Sequence, residues 1–218
     1  LESLMDVLGA LESGEKYRLE IPGLPSPIDL PYVEIPEGGK RLRIVSLNLV
    51  GLTGLNRDLG KLLAERIRSA IPDLSGIVFL TAVEKALMLC QAVAAELGIE
   101  AVAVAYNRVK PHMQAHRRPT LQVGSSSVTS GSKFLALYER DINLLLGATR
   151  GVVVVDDVVS TGGTLLALND LLEELAERHG RDPLQMRGIF CVAREGDPQA
   201  MLPAPVFSLA RLPQPVLL

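Results

Sequence analysis

Residues 152–164 read VVVVDDVVSTGGT: four valines, two aspartates, two more valines, then Ser160, Thr161, Gly162, Gly163 and Thr164. The run from Val152 to Val155 predicts a strand buried on both faces, because a half-exposed strand would alternate apolar with polar side chains. Asp156 and Asp157 follow at the carboxyl end of that strand, which is where open α/β sheets place their ligands. Two carboxylates there can accept hydrogen bonds from a vicinal diol. After Val158 and Val159 the turn opens a helix predicted from about Thr164 to His179. Glycines let the backbone wrap closely round an anion, amides and hydroxyls donate to it, and the helix dipole favours negative charge. The stretch has neither the Lys of a P-loop nor the spaced glycines of the dinucleotide fingerprint, so it is a different kind of phosphate cradle. An acidic pair or a glycine turn alone is commonplace; the ordered combination points to a sugar phosphate.

Outward from this stretch the chain keeps a strand, helix, strand rhythm. Residues 76–80 predict a short apolar strand, residues 84–97 a mostly apolar helix closed by Gly98, residues 100–105 a second strand, and residues 186–192 a last one. Upstream, residues 42–49 alternate well enough for a strand. They lead to Asn56 and a helix marked by Leu59, Leu62, Leu63, Ile67 and Ala70, stopping near Pro72. The repeated order implies an α/β fold, an open and mostly parallel twisted sheet flanked by helices with right-handed crossovers. Pro22, Pro25, Pro27, Pro31 and Pro36 punctuate the start of the chain and predict extended, turn-rich structure there. Residues 1–50 thus read as an N-terminal extension and residues 51–218 as the core. Within the core, residues 106–140 are too polar for a packed element and read as a long flexible hairpin.

Composition narrows the class of function. At 218 residues the chain suits one α/β core with a small appendage. Hydrophobic residues make up 48% but aromatic ones only 4%, so the core must be built from Leu, Val, Ile and Ala. A net charge of -3 without a basic run gives no electrostatic footprint for nucleic acid. No apolar run approaches the roughly 20 residues of a membrane helix. The first sixteen residues carry three Glu and one Asp, unlike a secretory signal, so the expectation is a cytoplasmic protein without a membrane partner. Cys90 and Cys191 lie in apolar runs and read as small buried hydrophobes. His112, His116 and His179 are not spaced with carboxylates as a zinc site would be, and Ser160 has neither a GxSxG context nor an identifiable His partner.

The VVVVDDVVSTGGT stretch resembles the phosphoribosyl-pyrophosphate signature of type I phosphoribosyltransferases: apolar strand, two acids, a short spacer, then Thr-Gly-Gly-Thr. The resemblance extends over about residues 17–213 and is similar in kind to the adenine and xanthine phosphoribosyltransferase branch. Leu30-Pro31, Lys110-Pro111-His112-Met113, Ser127-Val128-Thr129-Ser130 and Arg194-Glu195-Gly196 support it. It implies that Asp156 and Asp157 hold the ribose hydroxyls, while Val158, Val159, Ser160, Thr161, Gly162, Gly163 and Thr164 wrap the 5′-phosphate. It implies a pyrophosphate turn at residues 81–86, through Thr81, Ala82, Glu84 and Lys85, with further contacts from Arg108, Lys110, His112 and His116 on a mobile loop. Of these, Asp156, Asp157, Arg108 and Lys110 would be catalytic. Two departures stand out: Ala86 replaces a frequent Gly, and Tyr106-Asn107 replaces a frequent Arg-Lys.

The same resemblance implies Mg²⁺ held chiefly by substrate oxygens, with Asp156 and Asp157 reaching it through water, and a homodimer. The substrates would be phosphoribosyl pyrophosphate and a purine base, in purine salvage. Adenine is the favoured base, with xanthine, guanine and hypoxanthine as alternatives and a pyrimidine enzyme as a further one. The N-terminal segment, with the tail after Glu195, would form a hood over the base, Tyr32, Phe190 and Phe207 being its candidate stacking partners. A non-catalytic sensor of phosphoribosyl pyrophosphate is the alternative from another class; its relatives carry a DNA-binding module, of which this sequence shows no sign.

Overall fold

The computed structural model of the chain describes residues 14–107, 120–124, 134–196 and 201–218. Five strands form one wholly parallel sheet: β4 (Ile77–Ala82), β5 (Ala103–Ala105), β8 (Gly151–Val159), β9 (Met186–Glu195) and β10 (Val206–Leu212), in the order β10-β9-β8-β4-β5. Among the described residues four helices accompany it: α1 (Thr53–Ala70), α2 (Leu87–Leu97), α3 (Glu139–Leu146) and α4 (Gly163–Arg178). This is the expected α/β architecture. Among the described residues, no helix is long and apolar enough to cross a membrane.

The valine run explains how the sheet is held. Val152, Val153, Val154 and Val155 are all buried, and their side chains alternate between two layers. Val152 and Val154 join Val78, Leu80, Leu168, Leu171 and Leu175 in the layer under α4. Val153 and Val155 join Phe79, Leu59, Leu63, Leu89 and Val93 in the layer under α1 and α2. Each fully buried valine is worth about 1.5–3 kcal/mol relative to an exposed one, and a one-residue slip of the strand would bring Gly151 or Asp156 to a buried position that a valine now fills.

A second sheet forms the hood. Its order is β1-β2-β3-β11, built from β1 (Lys16–Leu19), β2 (Ile28–Glu37), β3 (Lys40–Val45) and β11 (Val216–Leu217). The chain's last residues therefore return to the N-terminal sheet, with Val216 and Leu217 opposite Arg43 and Leu42. Leu19, Ile21, Ile28, Leu30 and Val45 seat the hood on the α1 and α2 layer of the core.

Several elements differ from the sequence expectation. The strand expected at 42–49 ends at Val45, and Asn56 fixes the connection into α1: its Nδ2 donates to the carbonyls of Leu49 at 2.6 Å and Leu52 at 2.9 Å, tying that connection to the first turn of the helix. Strand β8 runs on to Val159 instead of ending before the acids, because β9 pairs with it through Val159↔Arg194. β6 (Thr120–Gly124) and β7 (Phe134–Tyr138) pair as the expected hairpin. Yet β7 is not an outlying loop: Leu135, Ala136 and Leu137 are buried, and α3 follows it directly.

Candidate active site

β4 and β8 pair from Ile77↔Gly151 to Leu80↔Val154 and no further. Beyond that point β4 stays with β5, through Ala82↔Ala105, while β8 stays with β9. The chain leaves β4 by α2 towards one edge of the sheet and β8 by α4 towards the other, so the gap between the two carboxyl ends is the topological switch point of the fold. A cavity of about 420 Å³ opens there, lined by residues from both strand ends and from the hood.

On the β8 side lie Asp156 and Asp157. Asp157 is buried, and its backbone N–H donates to Asp156 Oδ1 at 2.9 Å. Strand β8 carries both acids beyond its ladder with β4, so they sit on ordered backbone at the cavity wall. Ser160, Thr161, Gly162, Gly163 and Thr164 continue the wall into α4. Gly162 has φ +84°, a left-handed conformation that costs other residues about 1–2 kcal/mol, and it carries the chain into α4, whose first residues Gly163, Thr164 and Leu165 line the cavity.

On the β4 side, Ala82, Val83, Glu84, Lys85 and Ala86 line the cavity. The Val83 N–H donates to Ala105 O at 2.9 Å, and the Leu87 N–H to Glu84 O at 3.3 Å, which closes the turn before α2. Ala86 has φ -86° and is buried, so its side chain is compatible with this turn and no glycine is needed. Thr81 lies apart: it is wholly buried in β4 and does not line the cavity. Glu84 and Lys85 are exposed at the rim.

Arg108, Lys110, His112 and His116 lie outside the described residues. The described neighbour Asn107 lines the cavity, and Tyr106 pairs with Ala136 through mutual backbone bonds of 2.8 Å. None of the three aromatic residues proposed to stack on a base lines the cavity. Phe190 is wholly buried and stacked on Phe207 with centroids 4.8 Å apart, and the Tyr32 ring carries the Arg43 guanidinium at 4.2 Å. The hood instead contributes Ile44, Val45, Ser46 and Leu47. The sequence did not mark these as site residues, and it marked Glu195, at the end of β9, only within the Arg194-Glu195-Gly196 segment that supports the resemblance. A charged residue ending a strand next to β8 is the same signal that exposed Asp156, and it was available for Glu195. The two cysteines are buried and free, burial pushing the Cys90 thiol up to about 12 and the Cys191 thiol higher still, so both remain unreactive thiols at neutral pH.

Residues 52–178, more than half of the chain, match the family described as Phosphoribosyl transferase domain. The chain belongs to that family. The matched span holds both walls of the cavity except the hood segment and Glu195, and the chain is accordingly a phosphoribosyltransferase, a pentosyltransferase of type I fold. No curated protein matches its sequence. Among solved structures, this phosphoribosyltransferase is similar to adenine phosphoribosyltransferase from Thermoanaerobacter pseudethanolicus, with 18% identity, TM-score 0.53 and coverage of 83% of this chain and 95% of the other. It is similar to the Rhodothermus marinus enzyme at 17% identity, TM-score 0.53 and coverage of 84% and 94%. The Saccharomyces cerevisiae enzyme, solved with an imino-altritol bisphosphate and adenine, has 20% identity and TM-score 0.51, with 94% of this chain and 98% of that one covered. At these identities the likeness is one of fold.

Proposed function

We propose that this phosphoribosyltransferase binds phosphoribosyl pyrophosphate in the switch-point cavity and transfers its phosphoribosyl group to a purine nitrogen, adenine being the favoured acceptor. The observation that carries the reading is the meeting, in one cavity, of three chemically distinct walls. A pair of acids suits a ribose diol, the Ser160 to Thr164 turn at a helix start suits a terminal phosphate, and the 82–86 turn with Lys85 at its rim suits a second, larger anion.

Asp156 and Asp157 would accept hydrogen bonds from the two ribose hydroxyls, and the turn amides and hydroxyls would hold the 5′-phosphate. With both ends of the sugar fixed, the anomeric carbon is presented at one place, and placement of this kind accounts for much of an enzymatic rate. The bond from that carbon to pyrophosphate breaks, its electron pair leaving on the pyrophosphate oxygen. The nitrogen lone pair forms the new bond, and the nitrogen releases its proton. Lys85, with Arg108 and Lys110, would oppose charge building on the leaving group.

The acids present fit a magnesium ion that arrives on its substrate. Among the described residues no three His, Cys, Asp or Glu side chains are grouped to hold a metal, and Mg²⁺ commonly binds through one or two carboxylates plus substrate phosphates. Asp156 and Asp157 would be those carboxylates, through water. When bound, Mg²⁺ would neutralise charge on the pyrophosphate.

The test is turnover of phosphoribosyl pyrophosphate with Mg²⁺ and, separately, adenine, guanine, hypoxanthine, xanthine, orotate and uracil, following nucleotide and pyrophosphate together. Adenine is expected to give its mononucleotide and one pyrophosphate per turnover. Binding of phosphoribosyl pyrophosphate without turnover of any base would favour a sensor instead.

A further inference from the structure

Glu195 is a charged group in the cavity to which the transfer reaction gives no task. It is the last residue of β9, it lines the cavity, and it is about half-buried. Among the described residues no ion pair or side-chain hydrogen bond engages it, and burial alone holds its carboxyl above the usual Glu range. A carboxylate withdrawn from water without a partner is unfavourable, and a ligand that donates to it removes that cost.

Strand order says which part of the substrate Glu195 meets. The carboxyl ends of β4, β8 and β9 stand side by side in the sheet. In the proposed transfer reaction, on which this inference rests, pyrophosphate lies at the end of β4 and ribose at the end of β8. A displacement at the anomeric carbon brings the attacking nitrogen in opposite the departing oxygen. The side opposite β4, seen from β8, is β9. The acceptor base is therefore delivered to Glu195, in the cavity that Ile44 and Ser46 of the hood also line.

Purines differ in what they offer such a group. An ionised carboxyl accepts hydrogen bonds and donates none. Adenine carries an amino donor at its six-position, whereas hypoxanthine and xanthine carry a carbonyl acceptor there. We propose that Glu195 is a specificity-determining residue of the acceptor site, accepting a hydrogen bond from the exocyclic amino group of adenine and rejecting a carbonyl in its place. A site built to pair with a substrate N–H discriminates strongly against an analogue that lacks it, because the protein group is then left buried and unpaired.

Initial rates of wild type, Glu195→Gln and Glu195→Asp, with adenine and with hypoxanthine, test this. Glu195→Gln is expected to lose roughly tenfold to a hundredfold in kcat/KM for adenine, mostly through KM for the base, while KM for phosphoribosyl pyrophosphate stays within about twofold. Its preference for adenine over hypoxanthine should fall, since an amide can donate to the carbonyl, and Glu195→Asp should keep the preference. An unchanged preference in Glu195→Gln, or a loss shared equally by both bases and by KM for phosphoribosyl pyrophosphate, would overturn the role of Glu195 while leaving the transfer reaction standing. A wild type that turns over no base would overturn the transfer reaction itself, and this role with it.

Discussion

Gly162 and Gly163 are neighbours in sequence but answer to different demands. A Cβ on Gly162 would lie 2.4 Å from Leu202 Cδ2, a flexible side-chain end that can move, but its φ of +84° strains any other residue. A Cβ on Gly163, the first residue of α4, would meet Thr161 Oγ1 at 3.8 Å, ordinary van der Waals contact. Gly162→Ala is therefore expected to lower stability by about 1–2 kcal/mol, read as a shift of the urea midpoint. Gly163→Ala should stay within about 1 kcal/mol of wild type, yet raise KM for phosphoribosyl pyrophosphate, because the added methyl would occupy space in the cavity wall proposed to hold the 5′-phosphate. An unaltered KM in Gly163→Ala would place the phosphate elsewhere. At this scale the sequence was most informative where the chemistry is contiguous: the two acids and the turn are adjacent along the chain and share one wall. Ile44 and Ser46 were not legible as cavity residues, because they reach it only when the hood docks.

Helix α3 shows what periodicity misses in an element. It has eight residues, too few for an apolar face to repeat, and the residue that anchors it is an acid. Asp141 is almost fully buried, and its Oδ1 accepts the Val104 N–H at 3.1 Å and an Arg140 Nη2 bond at 2.6 Å, fastening α3 to the edge strand β5. Asp141→Ala leaves that N–H without its acceptor and is expected to cost about 1–3 kcal/mol in chemical denaturation; an unchanged midpoint would contradict the anchoring role. The hood strand β2 makes a related point. Its prolines argue for turns, yet it runs ten residues, because β1 pairs only with Ile28 to Pro31 and β3 only with Tyr32 to Glu37. Pro31 sits where one ladder gives way to the other, its carbonyl accepting the Ser46 N–H at 2.9 Å, and Pro36 lies in the half that β1 does not reach, so neither ring interrupts a continuous ladder. The long elements α1, α4, β4 and β9 were legible in place and type, their ends shifting by up to a few residues with the partner each one found.

For the whole molecule, the sheet order decides where chemistry can occur. Parallel strands wound outward in both directions from β4 and β8 leave one crevice at their carboxyl ends, and the valine run, buried in both layers, fixes β8 so that Asp156 and Asp157 arrive there. The sequence rhythm foretold a parallel sheet but not its fifth strand β10, most of whose residues are only partly buried and carry no clear alternation. The resemblance placed the tail after Glu195 in the hood, and β11 pairs with β3 there, although a two-residue strand leaves no pattern of its own in the sequence. The most direct measurement is nucleotide and pyrophosphate formation from phosphoribosyl pyrophosphate, adenine and Mg²⁺ by wild type and by the double variant Asp156→Asn, Asp157→Asn, with melting temperatures in parallel. The switch-point cavity predicts equimolar products from wild type and a loss of about a hundredfold or more in the variant at a similar melting temperature. A variant that keeps the wild-type rate would contradict it.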